Sequence, residues 1–380
     1  MPCLNEEETI EKCILKAKKW IDSKNIPAEI LIADNGSNDK SIDIALKNGA
    51  RVINVNQKGY GSALYHGCEN AKGDFIIFGD SDDSYDFSRL DDFYNELING
   101  CDLVMGNRFK GGIKKGAMPW KNKYIGNPVL SFIGKCLYNK EIGDFHCGLR
   151  GIKKEAFKKM DLISTGMEFA SEMVIKASML KMRIAEVPII LHKDGRSKPP
   201  HLNPWRDGWR HLKFLLIFSP NTLFIYPGIF IFSFFSFLYF LTFFDINLFG
   251  EINFGNNSLV FLQLFSSIGF LYLNTGIVIR EFGIREKFYM KKKLLLKFIN
   301  VESMAISSIF LILLGVYKLI GSLSIWSDLN FGSINNLEIL NATLKSSSLS
   351  GYFISHGFIL FIFSLILTYM RIAVRRNSNE

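Results

Sequence analysis

Asp80-Ser81-Asp82 carries the strongest chemical signal in the chain. Two carboxylates two positions apart can both reach one divalent cation across a turn. Mg2+ or Mn2+ prefers carboxylate oxygens and keeps several waters, so one or two Asp suffice. A cation there would neutralise a diphosphate and stabilise it as a leaving group. The same spacing is common in solvated turns, so its setting decides. Phe75-Ile76-Ile77-Phe78 runs straight into Gly79-Asp80, which puts the pair at the carboxyl end of a buried strand. A second cluster, Asp34-Asn35-Gly36-Ser37, follows Ile30-Leu31-Ile32-Ala33 in the same way. Asp34 can accept a hydrogen bond from a nucleobase or ribose, or it can cap the helix that follows. Lys58-Gly59-Tyr60-Gly61 precedes a helix whose first N–H groups favour phosphate, although the glycine spacing is too short for a dinucleotide fingerprint. Arg108, Asp144, Arg150, Arg196 and Lys198 are further candidates for polar work near such a site.

The elements around these residues alternate. Ile10, Cys13, Ile14, Ala17 and Ile21 fall at helical spacing and predict a helix over about 6–22. Ile42, Ala45 and Leu46 predict a second helix, stopped by Gly49. Residues 61–71 read as a third. Val52–Val55 and Leu103–Met105 join the two strands already named. Apolar strands separated by helices predict a parallel α/β sheet with helices on both faces. Ligands of such sheets bind beyond the carboxyl ends of the strands, so Asp34 and Asp80 should face one crevice.

Composition adds the second half of the architecture. The chain has 380 residues, 48% of them hydrophobic, with 34 Phe and a formal net charge of +9. Charge is dense to about residue 213 and then comes in blocks. Pro204–His211 mixes Trp, Arg and His ahead of Phe214–Phe218, which suits a helix of about 204–220 lying among lipid headgroups. Four apolar spans follow at about 221–244, 258–279, 303–326 and 352–374, each near the roughly 20 residues that cross a bilayer core. Lys and Arg crowd the 280–300 loop and the C-terminal tail, while the other two loops hold almost none. The positive-inside rule therefore predicts a cytosolic loop, cytosolic termini and a cytosolic domain over 1–203. Lys318 lies inside the third span, where snorkelling or a neighbouring helix accounts for it. The basic balance fits a membrane surface or a phosphorylated substrate. No zinc-finger spacing, aromatic RNA-binding signature or long basic arm points to nucleic acid. The six cysteines are scattered, without a Cys-x-x-Cys pair, and are expected to be reduced.

Read as an ordered series, the polar segments resemble the family 2 glycosyltransferases with the GT-A fold. Within that family they are most similar to the dolichol-phosphate mannose and polyprenyl-phosphate glucose synthases. The carrying segments are Pro2–Glu7, Ala33–Asp39, Gly59–Gly61, Gly79–Asp83, Gly106–Phe109, Gly143–Arg150, Met167–Glu172 and Gly195–Lys198. The resemblance covers about residues 1–215. It implies an α/β GT-A domain with a mostly parallel sheet, followed by a helical transmembrane domain over 221–380. It implies that Pro2, Leu4, Glu6 and Asp34 contact the nucleoside of a UDP- or GDP-sugar. Asp80 and Asp82 would lie on the diphosphate and its Mg2+ or Mn2+, with Asp82 the direct ligand. Arg108 would bind phosphate, Asp144 and Glu172 would line the transfer site, and Arg196 and Lys198 would meet a polyprenyl phosphate acceptor. The chain departs from the family's pattern in several ways. Leu4 replaces a frequent aromatic, Ser84 a frequent Gln, and the Gln-x-x-Arg-Trp motif of processive synthases is missing, which implies transfer of a single sugar. The family also has an apolar central strand ahead of the Pro2 segment, so a native chain longer by several residues is expected. The rival readings are transfer to another membrane acceptor such as diacylglycerol, which needs a base, and a non-catalytic nucleotide-binding membrane scaffold. An oligomer is compatible with all of them.

Overall fold

Ile10, Cys13, Ile14, Ala17 and Trp20 are all buried, so one apolar stripe fastens helix α1 (Ile10–Lys24) to the sheet. The left-handed Asn25 ends it. In the computed structural model residues 1–138, 142–197, 204–246, 255–286 and 300–371 are described. Their contacts divide the chain into Met1–Leu216 and Ile217–Glu380.

The first unit has the GT-A, Rossmann-like architecture. Strand β1 (Pro2–Cys3) pairs parallel with β2 (Leu31–Asp34), and β2 pairs parallel with β3 (Arg51–Asn54). A second sheet has the order β4 (Phe75–Phe78), β6 (Arg150–Lys153), β5 (Leu103–Asn107), β7 (Ile184–Pro188). The sheets are flanked by α2 (Ser41–Lys47), α3 (Tyr60–Asn70), α4 (Asp91–Ile98), α5 (Arg108–Gly111), α6 (Asn127–Leu137), α7 (Lys154–Met160) and α8 (Phe169–Met179). The unit closes with α9 (Pro204–Ile217).

One departure from the sequence expectation is β6, which runs antiparallel to both β4 and β5. It is fed by the 142–149 loop at the carboxyl ends of its neighbours rather than by a returning crossover helix, so it must run back. Gly151 lets β6 pass under α4, where an added Cβ would stand 3.1 Å from Leu97. β5 is buried along its whole length, which fits a central strand covered on both faces.

Between β2 and β4 lies a cavity of about 680 Å³, lined among others by Met1, Trp20, Leu31, Ala33, Ile76 and Phe78. Met1 reaches its edge, with its amino group donating to the Leu31 carbonyl at 2.7 Å. A strand continuing β1 backwards, as the resemblance implies, would run into this space.

In the second unit four helices are long and apolar enough to cross a membrane. They are Asn221–Phe243, Asn256–Arg285, Val301–Asp328 and Leu337–Arg371. The first begins with a π-helical turn, Asn221–Ile225, and continues as α10 (Tyr226–Phe243); the others are α11 to α13. The first three match the expected spans closely. The last begins well before residue 352, because Glu338 and Lys345 sit on the same continuous helix ahead of its apolar part. Small residues set the packing. An added Cβ at Gly228 or Gly269 would strike the backbone of Leu273 or Phe232, and one at Gly357 the carbonyl of Ser308. Lys318 lies over the ring of Tyr317, with Nζ 5.9 Å from the centroid.

Candidate active site

The two Asp clusters meet through the segment 2–9. Cys3 pairs with Asp34 across β1 and β2. Asn5 N–H donates to Ser37 Oγ at 2.9 Å, and Glu6 N–H to Ser41 Oγ at 2.7 Å. On the other side Ser81 Oγ donates to the Pro2 carbonyl at 2.6 Å, and Thr9 Oγ1 to the Ser81 carbonyl at 2.7 Å. The carboxyl ends of β2 and β4 therefore open on one crevice, as the sequence anticipates.

Asp80 and Asp82 sit in this crevice with little positive charge around them. Asp80 accepts a hydrogen bond from Tyr60 Oη at 2.8 Å. Burial and the neighbouring charge of Asp82 push its pKa up to about 6. Asp82 Oδ1 accepts from Ser84 N and Oγ at 3.1 and 2.6 Å, so Ser84 orients the carboxylate. Its other oxygen stands 3.5 Å from Arg196 Nη2. That guanidinium is already engaged by Glu6, with Nε donating to Oε2 at 2.8 Å and Nη2 to Oε1 at 2.5 Å. Burial raises the Glu6 carboxyl, and Arg196 offsets part of that rise. Three carboxylates, Glu6, Asp80 and Asp82, thus share one guanidinium. Asp83 points elsewhere, to Lys16 at 2.6 Å. The 195–197 segment covers the group, with Gly195 N–H on the Asp82 carbonyl at 2.9 Å and Ser197 on Glu8.

This donor set fits a divalent cation. Two hard oxygen ligands and an uncompensated negative charge are what Mg2+ or Mn2+ requires, with water and phosphate oxygens filling the remaining positions. Among the described residues no group of three or more His, Cys, Asp or Glu side chains could hold an ion without such outside ligands.

Several other candidates are committed to holding the structure. Asp144 is fully buried and gripped by Arg108, with Nε at 2.7 Å, Nη2 at 2.8 Å and the Arg108 backbone N–H at 3.1 Å. Burial pulls the Arg108 guanidinium down, and Asp144 more than reverses this. The implied roles of Arg108 on phosphate and of Asp144 as a free carboxylate both meet this closed pair. Glu172 is likewise fully buried. It pairs with Lys176 at 2.9 Å and accepts from the backbone N–H groups of Ile163 and Ser164. It holds the 163–166 loop rather than standing open to the crevice. Arg150 donates to the carbonyls of Cys147, Ala170 and Phe145.

Asp34 accepts from Gly36 N at 2.9 Å and from Ser37 N at 3.1 Å, the capping alternative. Gly59 has φ of 135°, and its N–H donates to Asn35 Oδ1 at 2.7 Å. An added Cβ there would lie 2.2 Å from the Thr165 carbonyl. Close packing against that loop, not a phosphate cradle, accounts for this glycine. Pro2 offers its carbonyl to Ser81, and Leu4 is 37% exposed at the crevice edge. Lys198 lies outside the described residues.

Sequence reasoning missed three members of the assembly. Tyr60, between two glycines, aims its hydroxyl at Asp80. Tyr85 Oη accepts from Gly148 N at 2.9 Å, and Gly148 is so close to Asp80 that an added Cβ would stand 2.6 Å from Oδ2. Glu186 takes the N–H groups of Gly143 and Asp144 at 2.5 and 3.0 Å. Ser171 Oγ bridges His146 Nε2 at 3.3 Å and His211 Nδ1 at 2.9 Å, which ties α9 to the Asp144 loop.

The Glycosyl transferase family 2 model matches residues 1–161. A dolichyl-phosphate hexose transferase of Haloferax volcanii is 30% identical over 211 residues, 55% of this chain and 87% of that protein. The chain belongs to glycosyl transferase family 2. Another relative, the low-salt glycan biosynthesis hexosyltransferase Agl6 of Haloferax volcanii, is 40% identical over 229 residues. That match covers 60% of this glycosyltransferase and 55% of Agl6, so the chain spans about half the length of that relative. Among solved structures, a glucosyl-3-phosphoglycerate synthase from Mycobacterium tuberculosis is 20% identical, with a TM-score of 0.44 over 57% of this chain and 75% of the other.

Proposed function

We propose that this glycosyltransferase moves a single hexose from a UDP- or GDP-sugar to a polyprenyl phosphate, with inversion, at the cytosolic face of a membrane. The observation that carries the reading is the crevice holding Glu6, Asp80 and Asp82 around the single guanidinium of Arg196. It sits in a chain with four potential membrane helices. The dolichyl-phosphate hexose transferase relative supports the class of acceptor. The domain organisation proposed with it is a cytosolic domain over 1–203, an interface helix over 204–220 and a membrane domain over 221–380, with both termini cytosolic.

In this reading an acceptor phosphate oxygen forms a bond to the anomeric carbon as the bond to the diphosphate oxygen breaks. The bonding pair leaves on the nucleoside diphosphate. The acceptor is already largely ionised at neutral pH if its second pKa is near the ~6 of other phosphate esters, so no strong base is needed. Asp80 and Asp82 would hold Mg2+ or Mn2+, which supplies charge stabilisation to the leaving diphosphate. Tyr60 and Ser84 fix the two carboxylates in place before substrate arrives. Glu6 holds Arg196 flat beside them, leaving the guanidinium free to meet phosphate oxygens. Asp34 and the 35–37 turn form the floor on the nucleoside side.

Transfer to diacylglycerol is the weaker alternative. Its hydroxyl needs a general base, and Asp144, the carboxylate considered for that task, is closed by Arg108. The deciding experiment incubates the full chain with Mg2+ or Mn2+, a panel of labelled nucleotide sugars and polyprenyl phosphate. The expected result is a lipid-linked monosaccharide whose formation stops on chelation. Absence of such a product with every donor, from protein that binds a nucleotide sugar, refutes the acceptor. Full activity in Asp82→Ala refutes the assigned site.

A further inference from the structure

The stretch from Leu103 to Lys140 contains eight Lys or Arg and no Asp or Glu. Within it, residues 120–137 form one helical rod, a π-helical turn (Asn122–Gly126) running into α6. The rod has two faces. Leu130, Ser131 and Gly134 are buried. Gly134 lies so close to the ring of Phe145 that an added Cβ would stand 2.7 Å away. The opposite stripe turns outward and is apolar: Trp120 is 62% exposed, Tyr124 67%, Val129 50% and Phe132 66%. Cys136, the next position on the same stripe, is also exposed. A helix of a water-facing domain normally does the reverse and shows water its polar side. Contiguous exposed aromatics mark a surface that meets something else.

We propose that this stripe lies in the headgroup region of an anionic bilayer. Three features of the stretch favour a lipid surface over a protein partner. Lys114, Lys115 and Lys121 are exposed, Lys123 stands beside Tyr124, and no carboxylate of the stretch competes with them for a lipid phosphate. Trp and Tyr with Lys at their flanks is the composition of an interfacial helix. The rod is also joined to α9, since Tyr138 Oη donates to the Leu215 carbonyl at 2.6 Å. The chain enters its first apolar span at Asn221, six positions after Leu215. The rod's inner face carries Phe145, next to Asp144, and Ser131 Oγ accepts from Phe145 N at 3.4 Å. Docking the outer face would therefore fix the loop that holds the Arg108–Asp144 pair. This inference does not depend on which sugar or acceptor the enzyme uses.

Cys136 supplies the test, because the other five cysteines are buried. The full chain, labelled at Cys136 with an environment-sensitive fluorophore, is placed in nanodiscs with and without phosphatidylglycerol. In the anionic discs the probe should blue-shift, be quenched by brominated acyl chains and be protected from aqueous iodide. Lys114→Ala with Lys115→Ala should lower the docked-to-undocked ratio roughly tenfold or more, given the attraction each cation contributes near an anionic surface. Trp120→Ser with Phe132→Ser should abolish the blue shift while leaving the thermal unfolding of the chain unchanged. A probe equally open to iodide in anionic discs and in detergent overturns the proposal. Protection from iodide without quenching by brominated lipid, together with Cys136–Cys136 crosslinking, also overturns it and assigns the stripe to a second copy of the chain.

Discussion

Two sets of acidic residues lie in the same domain and are treated in opposite ways. Asp144 and Glu172 are fully buried, and each is matched by a cation and by backbone N–H groups. Glu6, Asp80 and Asp82 lie together with one guanidinium among them. A buried carboxylate without a partner is costly, so the first set is what stability alone would build. The second set leaves charge unbalanced, and the cost is expressed in the raised pKa of Asp80. Charge left open at the mouth of a crevice is available to a ligand. Charge sealed by an arginine holds a loop.

The sharpest way to break this distinction is to neutralise one member of each set. Asp82→Asn should lower the transfer rate about a thousandfold, the range expected when electrostatic support for a leaving group is removed. Its midpoint of thermal unfolding should stay where it is or rise, because a like charge beside Asp80 is gone. Activity within tenfold of the parent would show that the open set is not the working one. Asp144→Asn should do the opposite. It leaves Arg108 buried without its counter-charge and should destabilise the domain by about 3–5 kcal/mol in denaturant unfolding. Replacing both partners, Arg108→Met with Asp144→Leu, should recover most of that loss. A double variant as unstable as Asp144→Asn would mean that the pair does more than neutralise itself.

Much of this was legible in the sequence, and the illegible part has a common cause. Strands ending in Asp34 and Gly79-Asp80 announced themselves through apolar runs followed by turn residues. Their convergence followed from the parallel connection rule alone. The antiparallel β6 was not announced, because Arg150-Gly151-Ile152-Lys153 is short, and its buried arginine is paid for by three carbonyls from other elements. The division between open and sealed carboxylates was also hidden. Arg108 and Asp144 are 36 positions apart, and Glu6 and Arg196 are 190 apart. Nothing local to Asp144 says that an arginine will close on it. The exposed aromatic rod over 120–137 was readable as a charge imbalance, but its inverted amphipathicity needed the burial of Leu130 and Gly134 to show which face looks outward.

The smallest effect concerns Asp80 and separates the two sets by pH. Burial, then the charge of Asp82, raises its carboxyl to about 6. An unfolded chain would titrate the same group near 3.9. Between those values the native state holds a proton that the unfolded state has released. Stability must then fall as pH rises through that window, and level off above it. Allowing for partial exposure, the drop should be on the order of 2 kcal/mol in buffer with a chelator. Asp80→Asn should flatten this part of the profile. Adding Mg2+ or Mn2+ to the parent at neutral pH should restore the lost stability, since a bound cation favours the ionised form. An identical slope in the parent and in Asp80→Asn would place the unbalanced charge elsewhere, and with it the open set of carboxylates would lose its distinction from the sealed one.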